Sequence, residues 1–220
     1  MDLQNKKIVF LGDSITQGVG VSTIENAYWN VVARRTGATC VGYGISGTRI
    51  ARQRYPRPDV PIDFQHFATR VEQMDADADI VVVFGGTNDF GQGDAPFGTM
   101  NDREDDTFYG ALHDLCQKLI NRYPTAQLLF MTPLHRLSED IVGTNELGLR
   151  LEHTLSDYTD AIIEVARFYS IPVLDLFRVS GIQPRVDVQR ELFMPDGVHP
   201  NDAGAARMAE KLIAFLHTLG

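Results

Sequence analysis

Residues 7–18, KIVFLGDSITQG, contain an apolar run at 8–11 that is followed directly by Gly12, Asp13 and Ser14. An unbroken apolar run bounded by glycine and polar residues is typical of a strand buried on both faces. Such strands indicate a parallel sheet when helices separate them. Ser14 would then follow the carboxyl end of the first strand, where open parallel sheets leave a crevice for ligands. Ser14 is therefore a candidate nucleophile, although a serine after a strand is more often a helix cap or a turn residue.

The same kind of pattern continues along the chain. Further strands are predicted at residues 39–43, 80–84, 127–131 and 172–174. Apolar residues at helical spacing predict helices over residues 26–35, 63–74, 108–123 and 151–169, and a last helix from residue 202. Polar loops are expected at residues 91–106 and 132–146. Strands that alternate with helices favour a single α/β domain over residues 1–220, a three-layer α/β/α sandwich with a five-stranded parallel, flavodoxin-like sheet.

The composition limits the classes of partner. The chain has 220 residues, 44% of them hydrophobic, and a formal net charge of -9. Because nucleic acids and anionic membranes select basic surfaces, this charge disfavours both and favours a small-molecule partner. The polar residues 1–7 predict no signal peptide, and no apolar run approaches the length of a membrane span. We therefore expect a cytoplasmic protein in which Cys40 and Cys116 are reduced packing residues.

A second chemical motif, PDGVHPN at residues 195–201, precedes the last helix. A neutral imidazole can take a proton from a serine hydroxyl when a carboxylate bonded to its other nitrogen fixes the tautomer. Asp196 and His199 stand in one short glycine-containing segment, so a single loop could supply both groups. The sequence therefore predicts Ser14 as nucleophile, His199 as its base and Asp196 as the carboxylate that orients the base.

A serine that attacks a carbonyl group also needs donors for the negative oxygen of the tetrahedral intermediate. The candidates are the backbone amides of Ser14 and Gly47 and the side-chain amide of Asn88. Gly47 lies in a glycine-rich loop after the second strand and Asn88 follows the third, so these groups share the carboxyl edge of the sheet. Asp13 and Asp89 are expected to hold the same loops by hydrogen bonds.

Four segments of the chain resemble the blocks of the SGNH (GDSL-type) hydrolase family. Gly12-Asp13-Ser14 after an apolar strand is similar to the family's nucleophile block, and GISG at residues 44–47 is similar to its second block. GTND at residues 86–89 resembles the Gly-x-Asn-Asp block, and Asp196-x-x-His199 resembles the final block. The four segments occur in the family's order, each at a predicted strand end or helix entrance.

This resemblance implies an SGNH-type fold and a serine esterase that works through an acyl-enzyme, with no metal and no organic cofactor. It implies Ser14, Asp196 and His199 as catalytic residues and Gly47 and Asn88 as oxyanion donors beside the Ser14 amide. Supporting positions in the same blocks are Asp13, Gly86 and Asp89. The alternatives are a thioesterase or lysophospholipase of the same family, or a non-catalytic carbohydrate-binding module.

Two positions depart from the family's pattern. Ile15 and Thr16 stand where the family's name places a leucine, and we expect this change of packing to be harmless. Gly42 stands five residues before Gly47, where the family usually has an asparagine that supports the loop. Other residues must therefore hold Gly47 in place.

Other motifs in the sequence point away from competing functions. Gly18-x-Gly20 lacks the third glycine of a dinucleotide-binding fingerprint, and no phosphate-binding loop with its lysine is present. Residues 44–48 lack the closing glycine of an α/β-hydrolase nucleophile elbow. Asp175 is expected to be a turn residue, and the arginines of residues 52–61 favour a solvated surface. Surface or packing roles, without metal binding, are expected for His66, His113, His135, His153 and His217.

The two polar loops indicate the kind of substrate. Residues 91–106 and 132–146 contain only scattered apolar side chains, so no continuous apolar groove for a long acyl chain is predicted. The acidic cluster at residues 102–106 could repel phosphate-bearing substrates, or it could only cap the following helix. The expected substrate is a short acyl ester, acetyl in the first place, of a neutral polar alcohol such as a carbohydrate.

Overall fold

The central sheet is built from the apolar runs of the sequence. The computed structural model describes residues 1–55, 58–141, 143–144 and 150–219. The strands are β1 (Lys7–Gly12), β2 (Thr39–Gly44), β3 (Ile80–Phe84), β4 (Gln127–Met131), β5 (Gly143–Thr144), β6 (Arg150–Leu151) and β7 (Val173–Leu174). Five of them form one parallel sheet in the order β2-β1-β3-β4-β7, and β5 pairs with β6 in a separate antiparallel ribbon.

Helices cover both faces of the sheet. They are α1 (Ser14–Gln17), α2 (Tyr28–Thr36), α3 (Phe67–Arg70), α4 (Thr87–Gln92), α5 (Phe108–Arg122), α6 (Leu155–Phe168), α7 (Leu176–Val179), α8 (Asp187–Phe193) and α9 (Asp202–Thr218). Because successive side chains of a strand point to opposite faces, β1 contributes to two separate cores. Val9 and Leu11 belong to the core that contains α5 and α6, whereas Ile8 and Phe10 belong to the core that contains α2 and α9. The predicted three-layer α/β/α sandwich is confirmed.

The structure departs from the predicted helices and loops at several places. The predicted helix over residues 151–169 begins only at Leu155, because Thr154 and Asp157 form a capping box. The predicted helix over residues 63–74 is broken into single turns, of which α3 is one. The predicted loop at residues 91–106 begins after α4, and the loop predicted at 132–146 contains β5, with residues 142, 145 and 146 outside the described residues.

Strand register brings the predicted site residues to one edge. Gly12 at the end of β1 is level with Gly44 of β2 on one side and with Phe84 of β3 on the other. The chain segments that follow these three strands therefore start side by side. Among the described residues, no helix is both long and apolar enough to cross a membrane.

Candidate active site

Hydrogen bonds connect Ser14, His199 and Asp196 in a line. The Oγ of Ser14 lies 2.9 Å from the Nε2 of His199, although 185 residues separate them in the sequence. The Nδ1 of His199 lies 2.7 Å from the Oδ2 of Asp196. Since an ionised carboxylate only accepts hydrogen bonds, Nδ1 carries the proton and Nε2 presents its lone pair to the serine hydroxyl. The three residues that the sequence singled out are therefore brought together in the tautomer that proton abstraction requires.

The loop that carries Asp196 and His199 is fixed by its own hydrogen bonds. The Oδ1 of Asp196 accepts from the backbone N–H of Val198 at 2.9 Å and of His199 at 2.7 Å. Gly197 takes a left-handed φ of 78°, which closes this turn without strain. Partial burial alone would raise the pKa of Asp196, but the hydrogen bonds from His199 and Val198 outweigh it and hold that pKa below the usual range. Asp196 therefore remains an acceptor for the imidazole at neutral pH.

Ser14 begins a helix of one turn at the end of β1. Asp13 caps this helix, because its Oδ1 accepts from the N–H of Ile15 at 3.0 Å. Gly44 allows the end of β2 to approach α1, since a Cβ at that position would lie 2.1 Å from the backbone nitrogen of Gln17. Ser14 itself is only 5% exposed. The short helix thus holds the serine rigidly beside the neighbouring loop.

That neighbouring loop, residues 45–51, carries Gly47. The Oε1 of Gln17 accepts from the N–H of Ser46 at 2.6 Å, which ties the loop to α1. Gly47 has a left-handed φ of 73°. Within the part of the chain that the structure describes, no protein acceptor takes the backbone N–H of Ser14 or of Gly47. Both predicted oxyanion amides are thus available to a ligand.

Helix α4 brings Asn88 to the same loop. Gly86 precedes the helix with a left-handed φ of 106°, and Asn88 is 8% exposed. The Nδ2 of Asn88 donates one hydrogen to the carbonyl of Thr48 at 3.1 Å, which leaves its second hydrogen for another acceptor. Asp89 accepts from the N–H of Ile50 at 3.0 Å and of Ala51 at 2.9 Å. Asn88 and Asp89 therefore join α4 to the loop that carries Gly47.

A tryptophan occupies the space beside Gly42, where the family usually has an asparagine. A Cβ at Gly42 would lie 2.5 Å from the Cε2 of Trp29. The Nε1 of Trp29 donates to the carbonyl of Thr16 at 2.9 Å, so the indole ties α2 to α1. Support for the loop comes instead from Gln17 and from the buried Arg70, which donates to the carbonyls of Tyr43 and Gly12 and to the hydroxyl of Thr48. Neither contact was predicted from the sequence.

Gly20 also contacts the candidate site, and this contact was not predicted from the sequence. It has a φ of 98°, and a Cβ there would lie 2.9 Å from the Cβ of His199 and 2.7 Å from the carbonyl oxygen of Pro200. The chain after α1 therefore packs directly against the imidazole-bearing residue. Only the incomplete Gly18-x-Gly20 pattern marked this position in the sequence.

The remaining polar residues that the sequence analysis named have partners other than Ser14. Asp175, predicted to be a turn residue, is the N-cap of α7 and also accepts from the hydroxyl of Thr132 at 3.1 Å. Arg52 pairs with Asp105 at 2.7 Å while half exposed, and Arg57 lies outside the described residues. No cluster of potential metal ligands is present among the residues described. The other histidines have these partners: His66 with Asp105, His113 with Tyr169, His135 with Glu139, His153 stacked on Phe97, and His217 with the carbonyl of Met1.

Two buried carboxyl groups give the fold a predictable pH dependence. Burial raises the pKa of Asp13 and of Asp89 to about 6, although backbone hydrogen bonds to both oppose the shift. The ordinary pKa of an aspartate in an unfolded chain is about 3.9. Because the folded-state pKa is the higher one, the stabilisation from each protonated carboxyl is complete below about pH 4 and is lost as the pH rises through about 6.

Asp13→Asn should remove one of these titrations. The amide oxygen can still accept from Ile15, and the amide nitrogen replaces an Oδ2 that has no hydrogen-bond partner among the described residues. Relative to the natural chain, we expect the variant's free energy of unfolding to rise by about 3 kcal/mol between pH 4 and pH 7. Urea titrations at a series of pH values measure this difference, and a difference that does not change with pH would contradict the prediction. Asp89→Asn is the contrast, since both of its oxygens accept backbone hydrogens and it should lose stability at every pH.

Comparison with known proteins places the whole arrangement in one family. Residues 10–207 match the family model described as GDSL-like lipase/acylhydrolase. A GDSL lipase of Mycobacterium tuberculosis is 28% identical over 221 residues, which cover 98% of this chain and 84% of the relative. A crystal structure of a Lactobacillus plantarum protein is 34% identical, with a TM-score of 0.81 and 98% of each chain covered. A candidate GDSL-like lipase from Bacteroides uniformis shares the fold at 20% identity, with a TM-score of 0.70 and 97% and 96% of the two chains covered. Since the family match includes Ser14, the loop of Gly47, Asn88 and the segment of Asp196 and His199, the chain belongs to the GDSL-like lipase/acylhydrolase family.

Proposed function

We propose that this protein is a serine esterase that hydrolyses short acyl esters, acetyl esters above all, of a small polar alcohol such as a carbohydrate. The observation that carries the proposal is the line of hydrogen bonds from Ser14 through His199 to Asp196. A carbohydrate-binding module would have no need for a serine hydroxyl aligned with the lone pair of an oriented imidazole. The arrangement therefore favours an enzyme over a binding module.

The proposed reaction uses only groups of this chain. Ser14 Oγ attacks the ester carbonyl while His199 Nε2 takes its proton, and Asp196 stabilises the imidazolium that forms. The amides of Ser14 and Gly47 and the second hydrogen of Asn88 Nδ2 would bind the negative oxygen. The intermediate collapses as His199 returns the proton to the leaving alcohol. A water activated by His199 then hydrolyses the acyl-enzyme on Ser14.

A small acyl group is supported by the packing of the two long loops. Phe97 and Met100 are partly buried against the core and Leu134 is only 3% exposed, so these side chains leave little apolar surface for an acyl channel. Leu137 and Ile141 are exposed, and Leu137 contacts Gly197 beside the imidazole-bearing loop. Each buried methylene of an acyl chain is worth about 0.8 kcal/mol. Within the described part of these loops, two exposed side chains offer too little apolar surface to favour a long chain.

A cavity of ≈ 420 Å³ lies at the residues that follow α4, the helix that carries Asn88, and we propose it as the site that takes the polar alcohol. Gly93 and Asp94 line it immediately after that helix. The rest of its lining mixes aromatic and charged side chains, including Arg54, Phe97, Glu152, His153 and Tyr158. Such groups can pair with hydroxyls and pack against a sugar ring.

The acidic cluster adds little to this substrate preference. Asp102 accepts from the backbone of Thr99 and from the hydroxyl of Thr107, which is the N-cap of α5. Asp105 is paired with Arg52. Two carboxylates of the cluster thus have structural partners. We therefore infer the preference for a short acyl ester from the small apolar surface of the described loop residues and not from charge repulsion.

A series of aryl esters with one alcohol and increasing acyl length tests the proposal. We expect kcat/KM to be highest for acetyl to butyryl esters and to fall steeply beyond butyryl. Acetylated sugars, an acyl-CoA and a lysophospholipid, assayed beside the series, distinguish the alternatives. Faster hydrolysis of octanoyl or longer esters than of acetyl esters would favour a lipase or thioesterase. No turnover of any ester, together with measurable sugar binding, would favour the binding module.

A further inference from the structure

Arg70 is a buried cation that joins the segments of the candidate active site. The residue is 2% exposed. Its Nη1 donates to the carbonyl of Tyr43 at 2.9 Å, and its Nη2 donates to the carbonyl of Gly12 at 3.0 Å and to the Oγ1 of Thr48 at 3.1 Å. Burial lowers the pKa of Arg70 to about 10, which still leaves it charged at neutral pH. One planar guanidinium therefore bridges three separate stretches of chain.

Two of these acceptors, Gly12 and Thr48, lie close in the chain to a proposed oxyanion donor. Gly12 ends β1, two residues before Ser14. Thr48 follows Gly47 directly, and its own carbonyl accepts from Asn88 Nδ2 at 3.1 Å. The hydroxyl of Thr48 donates to the carbonyl of Ile45 at 2.7 Å, which closes the turn around Gly47. Arg70 thus contacts, directly or through Thr48, the segments that carry all three donors.

The surroundings of Arg70 argue for a geometric role. Among the residues that the structure describes, no carboxylate lies within 4.0 Å of its guanidinium, and the charge of Asp13 acts on it only from a greater distance. The guanidinium instead bonds neutral oxygens and lies 4.7 Å from the ring centroid of Phe67. Burying a charge without an ion-pair partner is costly, and apolar side chains often replace buried charges without loss of stability. An apolar side chain could not hydrogen-bond to the ends of β1 and β2 and to the hydroxyl of Thr48 at the same time. The absence of a side chain at Gly42 makes that connection more important here.

We propose that Arg70 is a positioning residue for the oxyanion hole. It holds the loop of residues 45–48 against the ends of β1 and β2, so that the amides of Ser14 and Gly47 and the side chain of Asn88 converge. Because it is buried, it acts through these groups rather than by contact with the substrate. The role in catalysis rests on the proposed esterase function, whereas the role in holding the loop can be tested without turnover.

The test compares Arg70→Lys and Arg70→Gln with the control Arg122→Lys. Lysine keeps the charge and glutamine keeps a planar amide, but neither reproduces the three-way contact. Arg122 also donates to two backbone carbonyls, those of Glu72 and Met74, in the segment that precedes β3 at the opposite edge of the sheet from Ser14. Two quantities are measured: hydrogen–deuterium exchange of a peptide covering residues 44–49, and kcat and KM for an acetyl ester. Thermal unfolding of each variant shows that it is folded at the assay temperature.

We expect faster exchange at residues 44–49 in both Arg70 variants and unchanged exchange there in Arg122→Lys. We expect kcat to fall about tenfold to a hundredfold, with KM within about twofold, because displaced donors act on the transition state more than on bound substrate. Unchanged exchange in folded Arg70 variants would overturn the proposal, and so would faster exchange with an unchanged kcat. If the natural chain hydrolyses no ester, the proposed function fails, while the exchange measurement still decides whether Arg70 holds the loop.

Discussion

Ser14→Ala and His199→Ala are each expected to lower kcat/KM for a short acyl ester by about three orders of magnitude or more. The physical reason is that the members of such a triad act as a unit, so that removing either one abolishes the same proton transfer and bond formation. The 2.9 Å contact between Ser14 Oγ and His199 Nε2 makes the two residues interdependent here. Initial rates with an acetyl aryl ester measure the effect. The double variant Ser14→Ala/His199→Ala should therefore be no more than slightly worse than either single variant.

Asp196→Asn provides the contrast for this prediction. The asparagine would retain the loop, because its oxygen can still accept from Val198 and His199 as Asp196 Oδ1 does. It would present an amide rather than a carboxylate to His199 Nδ1, which favours the wrong tautomer. We therefore expect a smaller loss than in His199→Ala, because the imidazole that takes the proton is still present and the oxyanion donors are unchanged in both variants. If Ser14→Ala retained most of the activity, the whole mechanism would be contradicted. Equal losses in the Asp196 and His199 variants would contradict a purely orienting role for Asp196.

Asn88→Ala is expected to lower kcat about a hundredfold or more with little change in KM. Removal of one oxyanion donor typically costs about 3 kcal/mol of transition-state stabilisation. Asn88 is buried and has one amide hydrogen already bound to Thr48, so the second is preorganised for an acceptor in the site. Steady-state kinetics with the preferred ester separate kcat from KM.

A control is needed because Asn88 also holds Thr48. Thr48→Ser keeps the carbonyl that accepts from Asn88 and the hydroxyl that binds Arg70, and it removes only a methyl group. If Asn88→Ala loses activity because it lacks the amide donor, and not because the packing around that amide changes, Thr48→Ser should retain most of the activity. A rise in KM with unchanged kcat in Asn88→Ala would instead assign Asn88 to substrate binding.

Several features of this protein were predictable because they are local. The apolar runs at residues 8–11, 80–84 and 128–131 became central strands, since a sheet covered by helices on both faces buries every side chain of such a run. Gly37 ended α2 in a left-handed conformation, as glycine does after a helix. Asp196 and His199 stand three residues apart, so their contact needs only one turn.

The burial and the contacts of Arg70 depend on residues far apart in the chain and became evident only in the folded structure. Arg70 lies in a single helical turn with no motif, and its guanidinium reaches Gly12, Tyr43 and Thr48 only in the folded chain. Its burial could not be inferred, because a charged residue in an irregular segment is ordinarily exposed.

Patterns of neighbouring residues were enough to predict the five strands of the parallel sheet, though not β5 and β6, and the class of fold. They were also enough to select Ser14, Asp196 and His199 as candidate catalytic residues, because hydrophobic period and short-range turn chemistry are local properties. Folding of the whole chain was needed to establish the strand order, the approach of Gly20 to His199, and the hydrogen bonds of Gln17 and Arg70 to the loop that carries Gly47. These features depend on strand register and on contacts between segments separated by tens of residues. Such contacts form only when burial of apolar surface brings the segments together, and no local pattern specifies them.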